Sequence, residues 1–312
     1  MRANSEPADW RRARAGRTPA GATLFASLSI EALIGKQNSD GGWPYIRGVS
    51  WTEPTAYAVM AMHAAGEVDS AARGLEWLQS SQRSDGSWPP QRHVDQSSWV
   101  TALVALLPSK LLDERAHARA IRWVLLSTGQ ESTSVYQFRQ WLLGNPPLPD
   151  TDFPGWPWIP GTAAWVSPTC MAIFALEKET RLHPSAAIDE RVRTGRRFLL
   201  SRTCQAGGWN HGSARALGYE TKAYPESTGQ VLAALSGVNT AEVQNALGLA
   251  AGYLAETRCA DALNWLQLGL MAHHRLPESY SVPADIRYRS VRDAALGFLV
   301  AAAKEGRNVL FD

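Results

Sequence analysis

The chain has 312 residues, 45% of them hydrophobic and 19% charged, and 31 lysines and arginines against 29 aspartates and glutamates give a net charge of +2. This composition excludes an intrinsically disordered chain, which needs low hydrophobicity and high net charge, and a protein that binds nucleic acid through a basic surface. The length suits one or two domains.

The chain begins with an arginine-rich segment. No long apolar run follows the arginines at positions 11 to 17, so we expect residues 1–21 to form a flexible basic arm and not a signal peptide. No apolar run reaches the roughly 20 residues that a bilayer crossing requires. Three cysteines, Cys170, Cys204 and Cys259, lie too far apart for a disulfide framework. The sequence therefore predicts a reducing, cytoplasmic environment.

A tryptophan-containing turn recurs along the rest of the chain. The pattern QxxxGxW occurs at residues 37–43 and again at 82–88, and its GxW end returns at 207–209. Pairs of an aromatic and an aliphatic residue recur with these turns in helical sequence, at intervals of 45, 46, 75, 55 and 45 residues. The pairs are Ala32-Leu33 (Ala in the aromatic place), Trp77-Leu78, Trp123-Val124, Phe198-Leu199, Tyr253-Leu254 and Phe298-Leu299. Six such pairs predict a repeat protein with a single domain over residues 22–312.

Two kinds of helix alternate within the repeats. Segments such as 69–82 and 114–126 are amphipathic and charged, whereas 56–65 and 103–107 are apolar almost all round. Because a helix that is apolar on every side is buried, the sequence predicts an all-α fold, an α/α toroid of about six helical hairpins. Its outer helices are charged and its inner helices are apolar. Only five inner helices can be placed from the sequence, which leaves the closure of the ring open.

One segment breaks the period. Residues 128–163 form an insertion rich in proline, glycine and aromatic residues. Long loops inside compact domains are usually functional or disordered, and the aromatic content favours a packed loop here. Its Trp156 and Trp158, together with Trp51 and Trp165, are predicted to line the rim of a site for an apolar or cationic ligand. Trp43, Trp88 and Trp209 are predicted to stack between repeats.

Polar residues stand at the starts of the inner helices. In a toroid these starts surround one mouth of the central channel, so the residues there are candidates for a binding site. Capping of the helices also explains many of them. The candidates are Glu53, Thr55, Asp95, Ser167, Thr169, Glu226, Thr228 and Asp261.

Residues 73–88, RGLEWLQSSQRSDGSW, match the pattern [KR][GA]xx[FYW][LIV]xxxQxxxGxW, which is the QW motif of triterpene cyclases. Residues 119–124 match its first half, and residues 195–209 match a third copy without the basic residue and the glutamine. The chain thus resembles the squalene–hopene cyclase and prenyltransferase repeat superfamily. The resemblance implies a toroid that acts on an isoprenoid by acid-initiated carbocation cyclisation. Full triterpene cyclases carry two such domains, and this chain has one.

The motifs that carry chemistry in that superfamily are absent. The DxDD motif of class II terpene cyclases does not occur, nor does DDxxD or the Asp-x-Cys order of the zinc-dependent prenyltransferases. Asp95, Glu53 or Glu226 is then the candidate acid, because burial of a carboxyl group raises its pKa and makes it a proton donor. Thr55, Thr169 and Thr228 join the four rim tryptophans as candidate substrate-binding residues. No cofactor or metal site is predicted.

Three functions remain open from the sequence. The first is a terpene cyclase-like enzyme that acts on a polyprenyl substrate. The second is a non-catalytic toroid that binds a lipid or a protein partner, and the third is a zinc-dependent, prenyltransferase-like enzyme. A hydrophobic substrate or lipid would bring the protein into peripheral contact with a membrane.

Overall fold

The computed structural model describes residues 29–144, 153–212, 215–216 and 219–311. The predicted arm at residues 1–21 and the middle of the insertion, residues 145–152, lie outside this part of the chain. The described helices are α1 (Ile30–Ile34), α2 (Thr52–Ala65), α3 (Val68–Gln79), α4 (Val100–Ala105), α5 (Glu114–Leu126), α6 (Ser134–Leu142), α7 (Val166–Leu182), α8 (Ala186–Ser201), α9 (Pro225–Ala234), α10 (Ala241–Glu256), α11 (Ala260–Ala272) and α12 (Val291–Lys304).

Strands are few and short in the described residues. Strand β1 (Trp156–Pro157) pairs antiparallel with β2 (Ala164–Trp165), and β3 (Arg215–Ala216) pairs antiparallel with β4 (Tyr219–Glu220). None of the described helices combines the length and the apolar character that a bilayer crossing requires.

Six of the described helices form a closed inner ring. Helices α2, α4, α7, α9, α11 and α12 each pack against the next one in this order, and α12 also packs against α2. Their sequences are apolar on nearly all sides, and every residue of α2 from Thr52 to Met62 is buried. The predicted all-α toroid with apolar inner helices is therefore confirmed.

The sixth inner helix is α12. The pair Phe298-Leu299 predicts an outer helix at this place, but α12 packs between α11 and α2 and buries most of its side chains. An aromatic–aliphatic pair suits a buried helix as well as the inward face of an outer one. Helix α12 therefore closes the ring, although the sequence predicts it as an outer helix.

The outer helices cover the ring with one apolar face each. Helix α3 packs on α2, α5 on α4 and α7, α8 on α7, and α10 on α9 and α11. In α3 the buried residues are Ser70, Ala71, Gly74, Trp77 and Leu78, which recur at helical spacing, while most of the remaining residues are exposed. The short helix α1 lies between α12 and α2.

The turn tryptophans join each outer helix to the following inner helix. The indole N–H of each donates a 2.7 Å hydrogen bond to the carbonyl of the aliphatic residue in the preceding pair. The bonds are Trp43 to Leu33, Trp88 to Leu78, Trp156 to Val124, and Trp209 to Leu199. Trp156 is therefore the turn tryptophan of its repeat, although the insertion separates it from its partner by 32 residues instead of 10.

Threonines form a second hydrogen bond between each turn and the next inner helix. The main-chain N–H of each turn tryptophan donates to a threonine hydroxyl in the first turn of the next inner helix, at 2.8 to 3.1 Å. These threonines are Thr55, Thr101, Thr169 and Thr228, and all four are fully buried. Thr55, Thr169 and Thr228, which the sequence analysis assigned to substrate binding, have a structural role instead. Their hydroxyls are engaged with the turn and lie inside the protein wall.

The glutamine of the QW motif ties the turn to the next outer helix. The Gln82 amide nitrogen donates to the carbonyl of Gly86 in its own turn at 3.0 Å and to that of Ala116 in α5 at 2.9 Å. Arg119, the basic residue that starts the next motif, donates to the Gln82 side-chain oxygen at 2.6 Å. Gln37 makes the equivalent pair of bonds. The motif is thus a set of contacts that holds successive repeats in register.

We expect Thr101→Val to lower the free energy of unfolding by about 1–3 kcal/mol, because the variant leaves the buried N–H of Trp88 without its acceptor. Chemical denaturation measures the change. Thr194→Val is the matched control, since the Thr194 hydroxyl bonds to a carbonyl on the exposed side of α8. Its effect should stay within about 0.5 kcal/mol, and equal effects of the two variants would contradict the structural role of Thr101.

Only some of the described residues of the insertion pack against the rest of the protein. Glu131 accepts a hydrogen bond from the amide of Ala164 at 2.9 Å, and Gln130 donates to the carbonyl of Thr162. Helix α6, in contrast, has no buried residue and exposes Phe138 and Trp141, whose rings stack on each other. The predicted packed loop therefore holds for the ends of the insertion and not for α6.

The C-terminal residues cross the far mouth of the ring. Arg307 donates to the carbonyl of Ala64 at the end of α2, and Lys178 in α7 donates to the carbonyl of Val309. Phe311 packs against Phe174 with ring centroids 4.8 Å apart. The mouth at the start of the inner helices carries no such cover in the described part of the chain.

Candidate functional site

A cavity of about 420 Å³ opens at the N-terminal ends of the six inner helices. Its acidic residues are Glu53, Glu226, Asp261 and Asp293, and its aromatic residues are Tyr45, Tyr57, Trp99 and Trp158. Arg292, His211, Ser167, Gln230, Ser290 and Met171 complete the lining. The pocket therefore combines carboxylates and aromatic faces with a single arginine among its described residues.

The same position of each repeat supplies a pocket residue. Glu53, Trp99, Ser167 and Glu226 each stand two residues before a structural threonine, and all four line the pocket. Asp261 in the first turn of α11 and Arg292 in the first turn of α12 complete the circle. The mouth is thus a ring of six side chains, one from each inner helix.

A second repeated position adds three more side chains. Tyr45, Trp158 and His211 each follow their turn tryptophan by two residues, and all three line the pocket. The Trp158 ring meets the Trp99 ring edge to face, with centroids 5.2 Å apart. The turns therefore bring an aromatic or imidazole ring beside the first-turn residues of the inner helices.

Arg292 holds three carboxylates on one side of the pocket. Its Nε lies 2.6 Å from Glu53 Oε1, and its Nη1 lies 2.9 Å from Asp261 Oδ1 and 3.2 Å from Asp293 Oδ1. Burial disfavours the charge of Arg292, but the carboxylates of Glu53 and Asp261 outweigh it and hold the Arg292 pKa above its ordinary value. The Tyr45 hydroxyl also donates to Glu53.

Glu226 lies on the other side of the pocket, on α9, which is opposite α2 in the order of the ring. Its Oε1 is 3.8 Å from His211 Nε2, and His211 Nδ1 is 3.2 Å from the hydroxyl of Ser227. The His211 ring packs against Tyr224 at 5.0 Å. Among the described residues, no arginine or lysine forms an ion pair with Glu226.

The inner wall of the pocket lies one helical turn below the mouth. Tyr57, Met171 and Gln230 follow Glu53, Ser167 and Glu226 by four residues each. Ser167 donates to the Gln230 side-chain oxygen at 2.7 Å. The Tyr57 hydroxyl is buried without a hydrogen-bond partner in the described residues, and burial raises the Tyr57 pKa above its ordinary value. This hydroxyl can donate a hydrogen bond to a ligand.

The structure brings some of the predicted site residues together and separates others. Glu53, Glu226 and Trp158 line the pocket, as do the further candidates Ser167 and Asp261.

Asp95, the first candidate acid, lies outside the pocket lining. Its side chain is 95% exposed and pairs with Arg83 at 2.6 Å. Trp51 and Trp165 are the N-cap residues of α2 and α7 and are not part of the lining. Trp156 is buried between repeats.

Nine of the fourteen described residues that line the pocket are not among the candidates from the sequence. Tyr45 and His211 follow from the offset of two residues after a turn tryptophan, and Trp99 follows from the offset of two before a structural threonine. These three residues can be predicted from the sequence if the threonines are recognised as a repeated feature. Arg292 and Asp293 had no such signal, because their helix was assigned to the outer layer.

The described residues contain no group of three or more His, Cys, Asp or Glu side chains that could hold a metal ion. Cys204 is buried, Cys259 is exposed, and His211 faces Glu226.

The N-terminal part of the ring matches a known family. Residues 22–97 match the model of the squalene-hopene cyclase C-terminal domain, which confirms the resemblance to the squalene–hopene cyclase repeat superfamily. The comparison with curated proteins found no match. Over these residues the chain is similar to that domain, and the described helices form an α/α toroid.

Solved structures share the fold at low sequence identity. The endo-β-1,4-glucanase CMCax from Acetobacter xylinum is 15% identical with a TM-score of 0.58, over 92% of this chain and 98% of that chain. A GH8 endo-β-1,4-glucanase from an Achatina fulica gut metagenomic library is 13% identical with a TM-score of 0.54, over 88% and 98%. The type II terpene cyclase MstE from Scytonema is 14% identical with a TM-score of 0.49, over 90% and 78%. At these identities the glucanase structures support the fold alone.

Proposed function

We propose that the protein is a terpene cyclase-like enzyme that protonates a linear isoprenoid in the pocket at the mouth of the ring. Two features support the proposal. The repeat matches the squalene-hopene cyclase domain model over residues 22–97. The pocket also combines an excess of carboxylates with four aromatic side chains, which suits chemistry that passes through positively charged intermediates.

Glu226 is the proton donor in this proposal. The observation that carries the assignment is the difference between the carboxylates of the pocket. Glu53, Asp261 and Asp293 are ion-paired with Arg292, and an ion-paired carboxylate has no proton to give. Glu226 faces His211 instead. Its carboxyl proton would add to a carbon–carbon double bond, whose π electrons form the new C–H bond and leave a carbocation.

The other groups of the pocket would then stabilise that cation. The faces of Trp99 and Trp158 attract a positive charge through their ring quadrupoles. The carboxylates around Arg292 outnumber its single positive charge, so this side of the pocket keeps an excess of negative charge. Cyclisation would end when the last cation loses a proton, which restores the charge balance.

The experiment is a product assay with linear polyprenyl hydrocarbons, alcohols and diphosphates of increasing length, analysed by mass spectrometry. We expect a cyclised product from the wild-type protein and a loss of about a hundredfold or more in its rate with Glu226→Gln, as for removal of a general acid. Asp95→Asn is the matched control, because Asp95 lies exposed on the surface, and its rate should be unchanged. Product formation at the wild-type rate by Glu226→Gln would overturn the assignment.

The cleavage of a glycosidic bond is the second candidate. It is favoured by the placement of Glu53 and Glu226 on opposite helices of the ring, since two carboxylates that flank a sugar are the usual apparatus for this reaction. Two of the structures with a similar fold are endo-β-1,4-glucanases. Release of reducing ends from soluble β-1,4-glucan oligosaccharides, together with no product from any isoprenoid, would favour this candidate.

The non-catalytic alternative makes a different prediction. A toroid that only binds a lipid would yield no product from either class of substrate and would retain an isoprenoid or another lipid through purification. Organic extraction of the purified protein, followed by mass spectrometry, detects such a ligand.

A further inference from the structure

Two pairs of pocket residues occupy equivalent places in the repeat. Tyr45 and His211 each follow a turn tryptophan by two residues, and Glu53 and Glu226 each precede a structural threonine by two. In both pairs the ring from the turn faces the carboxylate from the helix. In the first pair the Glu53 carboxylate is already bound, since Tyr45 donates a hydrogen bond to it and Arg292 forms an ion pair with it. The second pair has an imidazole in place of the phenol.

The residue after each of these acids differs between the two helices. This position is proline in α2 and α7 (Pro54 and Pro168) and valine in α4 (Val100), whereas in α9 it is Ser227. Ser227 is fully buried, and its hydroxyl lies 3.2 Å from His211 Nδ1. Serine therefore replaces the repeated proline in the helix whose acid faces a histidine.

We propose that Ser227 is a positioning residue that accepts a hydrogen bond from His211 Nδ1–H and thereby reserves His211 Nε2 for proton exchange with Glu226. The contacts around the imidazole support this orientation. Tyr224 packs against the ring at 5.0 Å, and the His211 carbonyl accepts a hydrogen bond from the amide of Val166 at 2.9 Å. Nε2 is then the nitrogen that points at Glu226, 3.8 Å away.

The proton exchange follows from this arrangement and rests on the proposed function of Glu226. His211 is neutral before the reaction, with its proton on Nδ1 bonded to Ser227 and the lone pair of Nε2 directed at Glu226. After the Glu226 carboxyl has given its proton to a double bond, Nε2 takes the proton that the last cation loses and passes it to the Glu226 carboxylate, which restores the acid and the neutral imidazole. The separation of 3.8 Å exceeds a hydrogen bond, and such contacts commonly tighten when a substrate binds.

The test reads the tautomer of His211 directly and needs no substrate. Nitrogen-15 NMR of the labelled, full-length protein at a pH where the imidazole is neutral distinguishes a protonated Nδ1 from a protonated Nε2. His211→Gln identifies the signals that belong to His211. We expect the Nδ1–H form in the wild-type protein. In Ser227→Ala, and in Ser227→Pro, which restores the repeated residue, the two nitrogen shifts should move towards those of the Nε2–H form.

Ser98→Ala is the control, because the buried Ser98 hydroxyl precedes α4 and has no hydrogen-bond partner in the described residues. It should leave the His211 signals unchanged. An Nε2–H tautomer in the wild-type protein overturns the inference whether or not the Ser227 variants fold, and so do unchanged signals in folded Ser227→Ala. Failure of the product assay, with the expected tautomer present, would refute the proposed function and leave the role of Ser227 in place.

Discussion

Arg292→Ala is expected to lower the free energy of unfolding by about 3–5 kcal/mol, which is the usual cost of removing one partner from a buried ion pair. The guanidinium of Arg292 binds Glu53 and Asp261, which come from two other inner helices, and Asp293 in its own helix. Without it, three carboxylates of like charge would face one another in a partly dehydrated pocket. The variant would also remove the ion pairs that connect α12 to α2 and to α11.

Denaturation by urea, followed by circular dichroism, measures the effect. Arg83→Ala is the matched control, since Arg83 pairs with the exposed Asp95, and an exposed pair contributes about 0–1 kcal/mol. We expect the double variant Arg292→Ala with Glu53→Gln to recover part of the loss, because one of the unpaired charges is then removed. Arg292→Ala with the same stability as Arg83→Ala would show that the cluster does not hold the ring closed.

Trp156→Ala should chiefly lower stability, whereas Trp158→Ala should chiefly weaken ligand binding. Trp156 is buried, and its indole N–H donates to the carbonyl of Val124, so its loss should cost about 3–5 kcal/mol in the free energy of unfolding. Trp158 lines the pocket, and the hydrogen bond that joins it to Trp99 uses its main-chain carbonyl, which alanine keeps. Its loss should cost about 1 kcal/mol or less, as for most substitutions away from the core.

The two variants share one residue type and lie two positions apart, so each is the control for the other. Denaturation curves give the stabilities, and binding of a polyprenyl ligand, measured by calorimetry, gives the effect on the pocket. Trp158→Ala is expected to weaken binding at nearly full stability. A loss of stability in Trp158→Ala equal to that in Trp156→Ala would place Trp158 in the frame of the repeat and not in the pocket.

The toroid could be predicted because its frame is periodic. The turn tryptophans, the QW glutamine and the alternation of charged and apolar helices recur at fixed spacing, and each recurrence supports the others. The sequence wrongly predicts Trp156 in the pocket because the insertion places it 32 residues from Val124, whose carbonyl accepts its hydrogen bond. The usual spacing of 10 residues between a turn tryptophan and its partner carbonyl therefore does not identify this contact.

The pocket was less predictable because closure of the ring creates part of it. Glu53 and Arg292 are 239 residues apart in the chain, and no local pattern connects them. Glu226 could be found, since it shares a repeated position with Glu53. Asp95 shows the limit of searching for an isolated acid, because nothing in the neighbouring sequence indicates that its carboxylate faces solvent.

All six inner helices of the described ring begin at the pocket, so their peptide dipoles point the same way along its axis. The mouth that carries Glu53, Glu226 and Asp261 is the positive pole, and the covered mouth, with Lys178 and Arg196 nearby, is the negative pole. The carboxylates at the positive pole outnumber its single arginine, whereas the covered mouth holds both signs, since Glu177 pairs with Arg196 there. A neutral, apolar ligand that displaces water from the mouth removes the screening of these charges and strengthens the electric field at the atoms that it brings there.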